Sequence, residues 1–191
     1  EAAALARTLI TSGKDYAGEA RALLNLGETR SSLVIYDKHS LQFTTTITFS
    51  ETILTTALSQ GLKLSYEDAA KILLEKGCTH DNKLPNYTSI VDKELTALVE
   101  QVRQALQFYR GHFQAADPIT HITMCGTLAT LRNLDLILSQ KLKISAHPGN
   151  IWKNLALKKM PDSTKMTDLS LTTALGLALR AATNQLADVV E

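Results

Sequence analysis

Two stretches of this 191-residue chain carry residue types suited to holding a phosphate group. The first is Asn25-Leu26-Gly27-Glu28-Thr29-Arg30-Ser31, a polar turn between two apolar runs. Glycine at position 27 lets the backbone take a positive φ or approach another group closely. The turn's amides, with the Thr29 and Ser31 hydroxyls, can then donate to phosphate oxygens. The second is Met124-Cys125-Gly126-Thr127-Leu128, where a strand pattern passes through glycine into a helical pattern that begins at Leu128. A helix N-terminus there offers free N–H groups to an anion. Taken singly, each is equally a plain connection: a hairpin at Gly27, an ordinary strand-to-helix turn at Gly126.

No other set of residues competes with these. Cys78, His80 and Asp81 are neighbours, but a structural zinc site needs four ligands and no second pair lies at suitable spacing, so the stretch reads as a polar loop. His121 beside a strand and His112 near a helix end read as packing or surface residues, and no Ser-His-Asp or Cys-His signature is present. The expectation is no catalytic residue and no metal site. Hydrophobic residues make up 45% and charged residues 20%, the balance of an ordinary globular domain. A net charge of +1 gives no strong field toward nucleic acid or an anionic membrane, and Lys141, Lys143, Lys158 and Lys159 read as solvated surface. Two cysteines give no sign of an oxidising compartment, and no apolar run approaches the ~20 residues a membrane span needs. The chain opens without Met inside a helical pattern that carries Arg7, which is no signal peptide; we read it as a fragment of a longer cytoplasmic protein.

Periodicity supplies the elements that must position the two turns. Ala2, Leu5, Leu9 and Ile10 fall at helical spacing before Ser12-Gly13. The runs Ala22–Leu26 and Ser32–Tyr36 and the alternating segment Leu41–Phe49 predict an antiparallel meander of three strands. Ser50 caps a helix stopped near Gly61, and Ser65 with Asp68 opens another that ends at Gly77. A long helix is expected from about Ser89 to Gln114, then a strand Ile119–Met124, a helix Leu128–Leu142 and a short strand at Ile144. The stretch 149–167, with Trp152 as a core anchor, reads as loop and short helix, and Leu169–Val189 as a closing helix. The order implies an α/β fold: a mixed sheet flanked by helices, with a helical insertion.

In this order the segments resemble the second half of the actin-like (ribonuclease H-like) fold. Within that superfamily they are similar to the PilM/FtsA-like family of type IV pilus assembly proteins. Glu1–Ile10 resembles the helix joining the halves of that fold, and Asn25–Phe43 its second phosphate segment, a DxGxxxT-type turn between paired strands. Leu54-Thr55, Leu64–Ala69 and Leu106–Tyr109 resemble family helices, Ile122–Gly126 and Leu131–Leu134 its adenosine strand and helix, and Ala174–Arg180 its closing helix. The resemblance assigns residues 1–48 and 88–191 to subdomain 2A of the fold and 49–87 to the inserted subdomain 2B. It implies Asn25, Gly27, Glu28, Thr29, Ser31, Gly126 and Thr127 as nucleotide-contacting positions.

The departures from the family pattern fall on those contacts. Asn25 stands where the family has the acid that holds hydrated Mg²⁺, and a neutral amide is a poor ligand for that hard cation. Ser31 replaces a threonine and keeps its hydroxyl. Phe49-Ser50 replace a glycine pair, Ala70 and Leu73 replace a Glu and a Lys beside the adenosine, and Thr127-Leu128 replace glycines after Gly126. A one-residue shift in the match would restore Lys71 as an adenine contact. The expectation is a degenerate nucleotide site on a scaffold component of a type IV pilus or related secretion platform, with no cofactor in this fragment. The alternative is an ATP-binding switch subunit, not itself an assigned enzyme, with ATP and Mg²⁺ held through the missing half. The resemblance implies the inner-membrane proteins PilN and PilO as partners of the full-length protein, a cytoplasmic location peripheral to the inner membrane through them, no nucleic acid and no direct membrane insertion. The tail Thr183–Glu191, with Asp188 and Glu191 and no Lys or Arg, does not resemble the basic membrane-binding tail of FtsA-like proteins.

Overall fold

The computed structural model describes residues 1–155 and 166–187. Lys158, Lys159, Pro161 and the acidic tail from Asp188 lie outside the described residues. The sheet is built first by a meander. Strand β1 (Ala20–Leu26) pairs antiparallel with β2 (Ser31–Asp37), and β2 with β3 (Ser40–Ile47). Strand β4 (Ile119–Cys125) then adds parallel to β1, and β5 (Ser145–Pro148) parallel to β4, giving the order β3-β2-β1-β4-β5. The expected mixed sheet is therefore observed, with its strand order turning back on itself between β1 and β4.

Helix α1 (Ala2–Leu9) packs with α6 (Thr172–Ala187) on one face of the sheet. Gly176 permits this contact, because a Cβ there would lie 2.7 Å from the Ala4 Cα. Thr8 adds a hydroxyl bond of 3.0 Å to the Thr172 carbonyl. Asn154 closes the far end of α1, its amide donating to the Arg7 carbonyl at 2.7 Å and accepting from Ser12 N–H at 3.0 Å. Such side-chain capping answers carbonyls a helix end leaves unpaired. The long helix α4 (Pro85–His112) packs against β3 on the other face, buries Val91, Leu95, Leu98, Val102, Leu106 and Tyr109 at helical spacing, and also contacts α5 (Leu134–Leu142). Between β3 and α4 lie α2 (Glu51–Leu62) and α3 (Tyr66–Lys76), which pack on each other. Each opens on a serine cap, Ser50 accepting from Ile53 N–H and Ser65 from Asp68 N–H.

Strand β3 ends at Ile47 rather than Phe49, β5 begins just after Ile144, and α6 begins at Thr172 after a 3-10 turn over Met166–Leu171 rather than at Leu169. Three further boundaries differ from expectation, each for a clear local reason. Helix α2 runs through Gly61 and stops at Lys63, which takes the left-handed conformation at φ 56°. Helix α4 starts at Pro85 rather than Ser89, since proline is preorganised for a first helical turn whose N–H has no helical partner anyway. Helix α5 starts at Leu134 rather than Leu128. The intervening chain bonds Ala129 N–H to the Gly126 carbonyl, Leu131 to Leu128 and Leu134 to Leu131. Leu128, Leu131 and Leu134 are buried at a spacing of three, the period of such tight turns and not of an α-helix.

Opposite the glycine turns, the β2–β3 hairpin is anchored by a buried carboxylate. Tyr109 donates to Asp37 Oδ2 at 2.6 Å and the Asp117 amide donates to the same oxygen at 3.0 Å. Burial alone would raise the Asp37 pKa, but these hydrogen bonds outweigh it and hold the carboxyl below its usual range.

Candidate functional site

Both glycine turns leave the carboxyl ends of adjacent parallel strands, with Asn25 paired to Cys125 in register. This is where the strand order reverses, the position at which open α/β sheets bind ligands. Gly126 takes φ 91°, and a Cβ there would run into the Leu26 carbonyl and come within 2.7 Å of Asn25 Oδ1. The two turns therefore touch: the backbone of one is seated on the backbone of the other. Leu128 N–H donates to the Leu26 carbonyl at 3.3 Å and Thr127 Oγ1 lies 3.5 Å from the same oxygen.

Of the two reasons that suit glycine at position 27, the close approach holds and the positive φ does not. Gly27 is absent from the positive-φ residues, and a Cβ there would lie 2.6 Å from the Arg30 carbonyl, so closeness and not handedness excludes a side chain. The turn also presents its carbonyls inward. Glu51 N–H donates to the Gly27 carbonyl at 3.1 Å, and Thr52 N–H and hydroxyl donate to the Glu28 carbonyl at 2.9 and 2.8 Å. With Ser50 Oγ accepting from Ile53 N–H at 3.2 Å, the opening N–H groups of α2 are answered by the protein itself. Glu28, Thr29 and Arg30 are exposed, whereas Ser31 is 1% exposed and its hydroxyl has no partner.

Asn25 is half-buried. Its amide donates to Glu1 Oε1 at 3.0 Å, and its Oδ1 faces the Cys125 thiol at 3.7 Å. Burial pushes the Cys125 thiol up to about 12, so it stays protonated and is a poor nucleophile. In the second turn Gly126 N–H donates to the Leu169 carbonyl at 3.0 Å, and Leu128 and Ala129 are each 1% exposed. The helix N-terminus expected beside Gly126 does not form, because α5 begins only at Leu134.

The end of α3 and the residues after it meet the chain that follows the second turn. Gly77, at φ 63°, would carry a Cβ only 2.6 Å from Arg132 Cβ, Cys78 N–H donates to the Arg132 carbonyl at 2.8 Å, and Asn133 Nδ2 donates to Thr79 Oγ1 at 3.3 Å. Reading the sequence missed Arg132 and Gly77 as a contact pair, and only the glycine at the end of α3 hinted at it. Leu73 is 2% exposed and belongs to the core, while Lys71 lies at the surface, 3.6 Å from Asp68. Of the other metal candidates, Cys78 is buried with its thiol pushed up to about 12 by burial, and Asp81 pairs with Lys76 at 3.2 Å.

Two openings flank α1. One of about 240 Å³ adjoins the first turn and is lined by Glu1, Arg30, Ser31, Ser32, Thr44 and Thr46, among others. One of about 770 Å³ lies at the opposite end of the sheet, against Arg7, Ile10, Tyr36, His39 and Leu41, away from both glycine turns.

A family model described as type IV pilus assembly protein PilM matches residues 2–182. The chain belongs to the PilM family. Among solved structures, a PilM–PilN type IV pilus biogenesis complex is similar at a TM-score of 0.67 and 24% identity, over 84% of this chain and 46% of that one. MreB5 of Spiroplasma citri bound to ADP gives a TM-score of 0.68 at 11% identity, over 95% and 58%. The ethanolamine utilization protein EutJ from Carboxydothermus hydrogenoformans gives 0.60 at 15%, over 93% and 52%. At these identities the likeness is one of fold, and the fold of this PilM-family chain is the actin-like one. The chain spans about half the length of the structures it resembles. Among the described residues, no helix is long and apolar enough to cross a membrane.

Proposed function

We propose that this chain is part of a scaffold subunit of a type IV pilus assembly platform, in which the actin-like nucleotide site has become a structural joint. One observation carries the reading. The turn that would cradle phosphate gives its Gly27 and Glu28 carbonyls to the N-terminus of α2, while Asn25 replaces the family's metal-holding acid and spends its amide on Glu1. Carbonyl oxygens and a neutral carboxamide are a poor environment for a phosphate and a poor one for Mg²⁺. The second turn supports the same reading, since its Gly126, Leu128 and Ala129 amides are bonded to protein carbonyls. The residues present therefore do not fit a magnesium nucleotide, and no step of a hydrolytic reaction is derived from them.

The full-length protein would sit at the cytoplasmic side of the inner membrane, held there by PilN and PilO. Support comes from the family match and from a similar chain solved as a PilM–PilN complex.

A second reading is an ATP-dependent switch whose remaining contacts lie beyond this chain. It is favoured by the backbone approaches kept at Gly27 and Gly126, and by Arg30 beside the Ser32, Thr44 and Thr46 hydroxyls at the smaller opening. Thermal unfolding of the full-length protein with and without ATP and Mg²⁺ separates the two. A ligand that binds only the native state at 100 times its Kd adds about 2.7 kcal/mol. The scaffold reading expects no Mg²⁺-dependent rise in the midpoint at millimolar nucleotide, and a clear rise would overturn it.

A further inference from the structure

Strand β3 forms the outer edge of the described sheet, and its middle carries none of the charge or proline that keeps such an edge single. Edge strands present a row of unpaired N–H and C=O groups and are commonly protected by charge or proline. From Ser40 to Ser50 the sequence is Ser-Leu-Gln-Phe-Thr-Thr-Thr-Ile-Thr-Phe-Ser, with no charged residue and no proline. It is also close to a chemical palindrome about Thr45. Thr44 mirrors Thr46, Phe43 mirrors Ile47, Gln42 mirrors Thr48, Leu41 mirrors Phe49 and Ser40 mirrors Ser50.

The structure limits where this edge can pair. At one end the ladder with β2 is irregular next to Tyr36, where Leu41 and Gln42 carry an extra residue, and it is regular from Phe43 to Ile47. At the other end Gln101 of α4 accepts from Thr48 N–H at 2.7 Å and donates to the Thr48 carbonyl at 3.2 Å, which closes the edge there. The open, regular segment is Phe43–Ile47, and its midpoint is Thr45, the centre of the palindrome. A two-fold interface needs a patch that complements itself, and this one does so in both register and chemistry.

We propose that the outer edge of β3 pairs antiparallel with the same edge of a second copy of this chain, about a two-fold axis through Thr45. Thr45 then faces its own copy, Thr44 faces the second copy's position 46, and Phe43 faces position 47. Threonine pairs and aromatic–β-branched pairs are favourable across antiparallel strands. Phe43 is already stacked 5.4 Å from Phe108, which is 46% exposed, so each copy brings an aromatic flank to the seam. No like charges oppose one another at any pair. A five-residue strand buries less than a permanent interface does, so the dimer is a weak one, with a Kd on the order of micromolar to tens of micromolar.

The test uses the full-length protein that carries this chain. Sedimentation velocity from ~1 to ~100 µM is expected to show a reversible monomer–dimer equilibrium. Thr44→Lys, at an exposed position on the edge, is expected to raise the dimer Kd at least about tenfold with an unchanged thermal midpoint, because it sets a like-charged pair near the axis. Thr45→Cys is expected to form a disulfide-linked dimer under mild oxidation at least about tenfold faster than Thr96→Cys, an exposed position on α4, because only the first brings two Cβ atoms into disulfide range. The two cysteines of this chain are buried, and the Thr96→Cys variant controls for any other in the full-length protein. A protein that stays monomeric throughout, a dimer that Thr44→Lys leaves intact, or equal cross-linking at the two positions each overturns the proposal. So does a monomer whose edge is filled by a different protein.

Discussion

At the end of β1 the chain turns in solvent, with Glu28, Thr29 and Arg30 exposed, whereas at the end of β4 it turns inside the protein, with Leu128 and Ala129 each 1% exposed. The first turn keeps its shape by hydrogen bonds to a neighbouring helix, since its carbonyls cap α2. The second keeps its shape by packing and by a left-handed glycine seated on the Leu26 backbone. Each solution uses backbone N–H groups within the protein: those opening α2 bond to the carbonyls of the first turn, and those of Gly126, Leu128 and Ala129 bond to nearby carbonyls. The exposed turn has retained hydroxyls and some freedom, while the buried one has become core. The difference follows from position: the turn nearer the hydrophobic interior is the one that apolar side chains fill.

Substitution of the two glycines is the strongest way to break this contrast. Gly126→Ala must adopt a positive φ and push a methyl group into the Leu26 carbonyl of a central strand, so it is expected to cost about 3–5 kcal/mol in urea denaturation. Gly27→Ala meets only the Arg30 carbonyl, in an exposed turn that can shift, and is expected to cost about 1–2 kcal/mol. Equal costs would show that the first turn is as rigid as the second. Leu128→Ala comes next. It empties a side chain from a closely packed site and is expected to cost about 2–4 kcal/mol while leaving the first turn unchanged. If instead it costs less than 1 kcal/mol and opens Mg²⁺-dependent nucleotide binding in the full-length protein, Leu128 is a plug and not core.

Most of the architecture was legible because its signals are periodic. The alternation in Leu41–Phe49, the serine caps at Ser50 and Ser65 and the helical stripe from Val91 to Tyr109 each report one element, and each formed, the strand ending at Ile47. The failures came where two periods suit the same residues. Leu128, Leu131 and Leu134 fit a helix by spacing, yet the chain settles them as successive tight turns because Gly126 aims it back against Leu26. Within the candidate site, residue identity named the candidate groups but not the partners each one meets. That Asn25 meets Glu1 and that Gly77 meets Arg132 depend on contacts between distant segments, on which local pattern is silent.

The finest test of the contrast is Asn25→Asp, which returns the family's acid to the exposed turn and leaves the buried one alone. The new carboxylate would stand 3.0 Å from Glu1 Oε1, where the parent has a hydrogen bond, so the first effect is repulsion. Glu1 is exposed, solvent screens the pair, and the expected loss is about 1 kcal/mol or less at pH 7. A like charge raises the folded pKa of the new group above its unfolded value, so the penalty is full at neutral pH. It fades as pH falls toward ~4, where both states carry the proton. Millimolar Mg²⁺ separates the two halves of the site. If the acid were the only missing part, Mg²⁺ with ATP would reverse the penalty and raise the thermal midpoint of the full-length variant above that of the parent. The expected result is no reversal, because the Leu128 and Ala129 amides and the N–H groups opening α2 still bond to protein carbonyls and not to a phosphate. A reversal would show that one side chain separates this chain from Mg²⁺-dependent nucleotide binding, and the buried turn would then be a bystander.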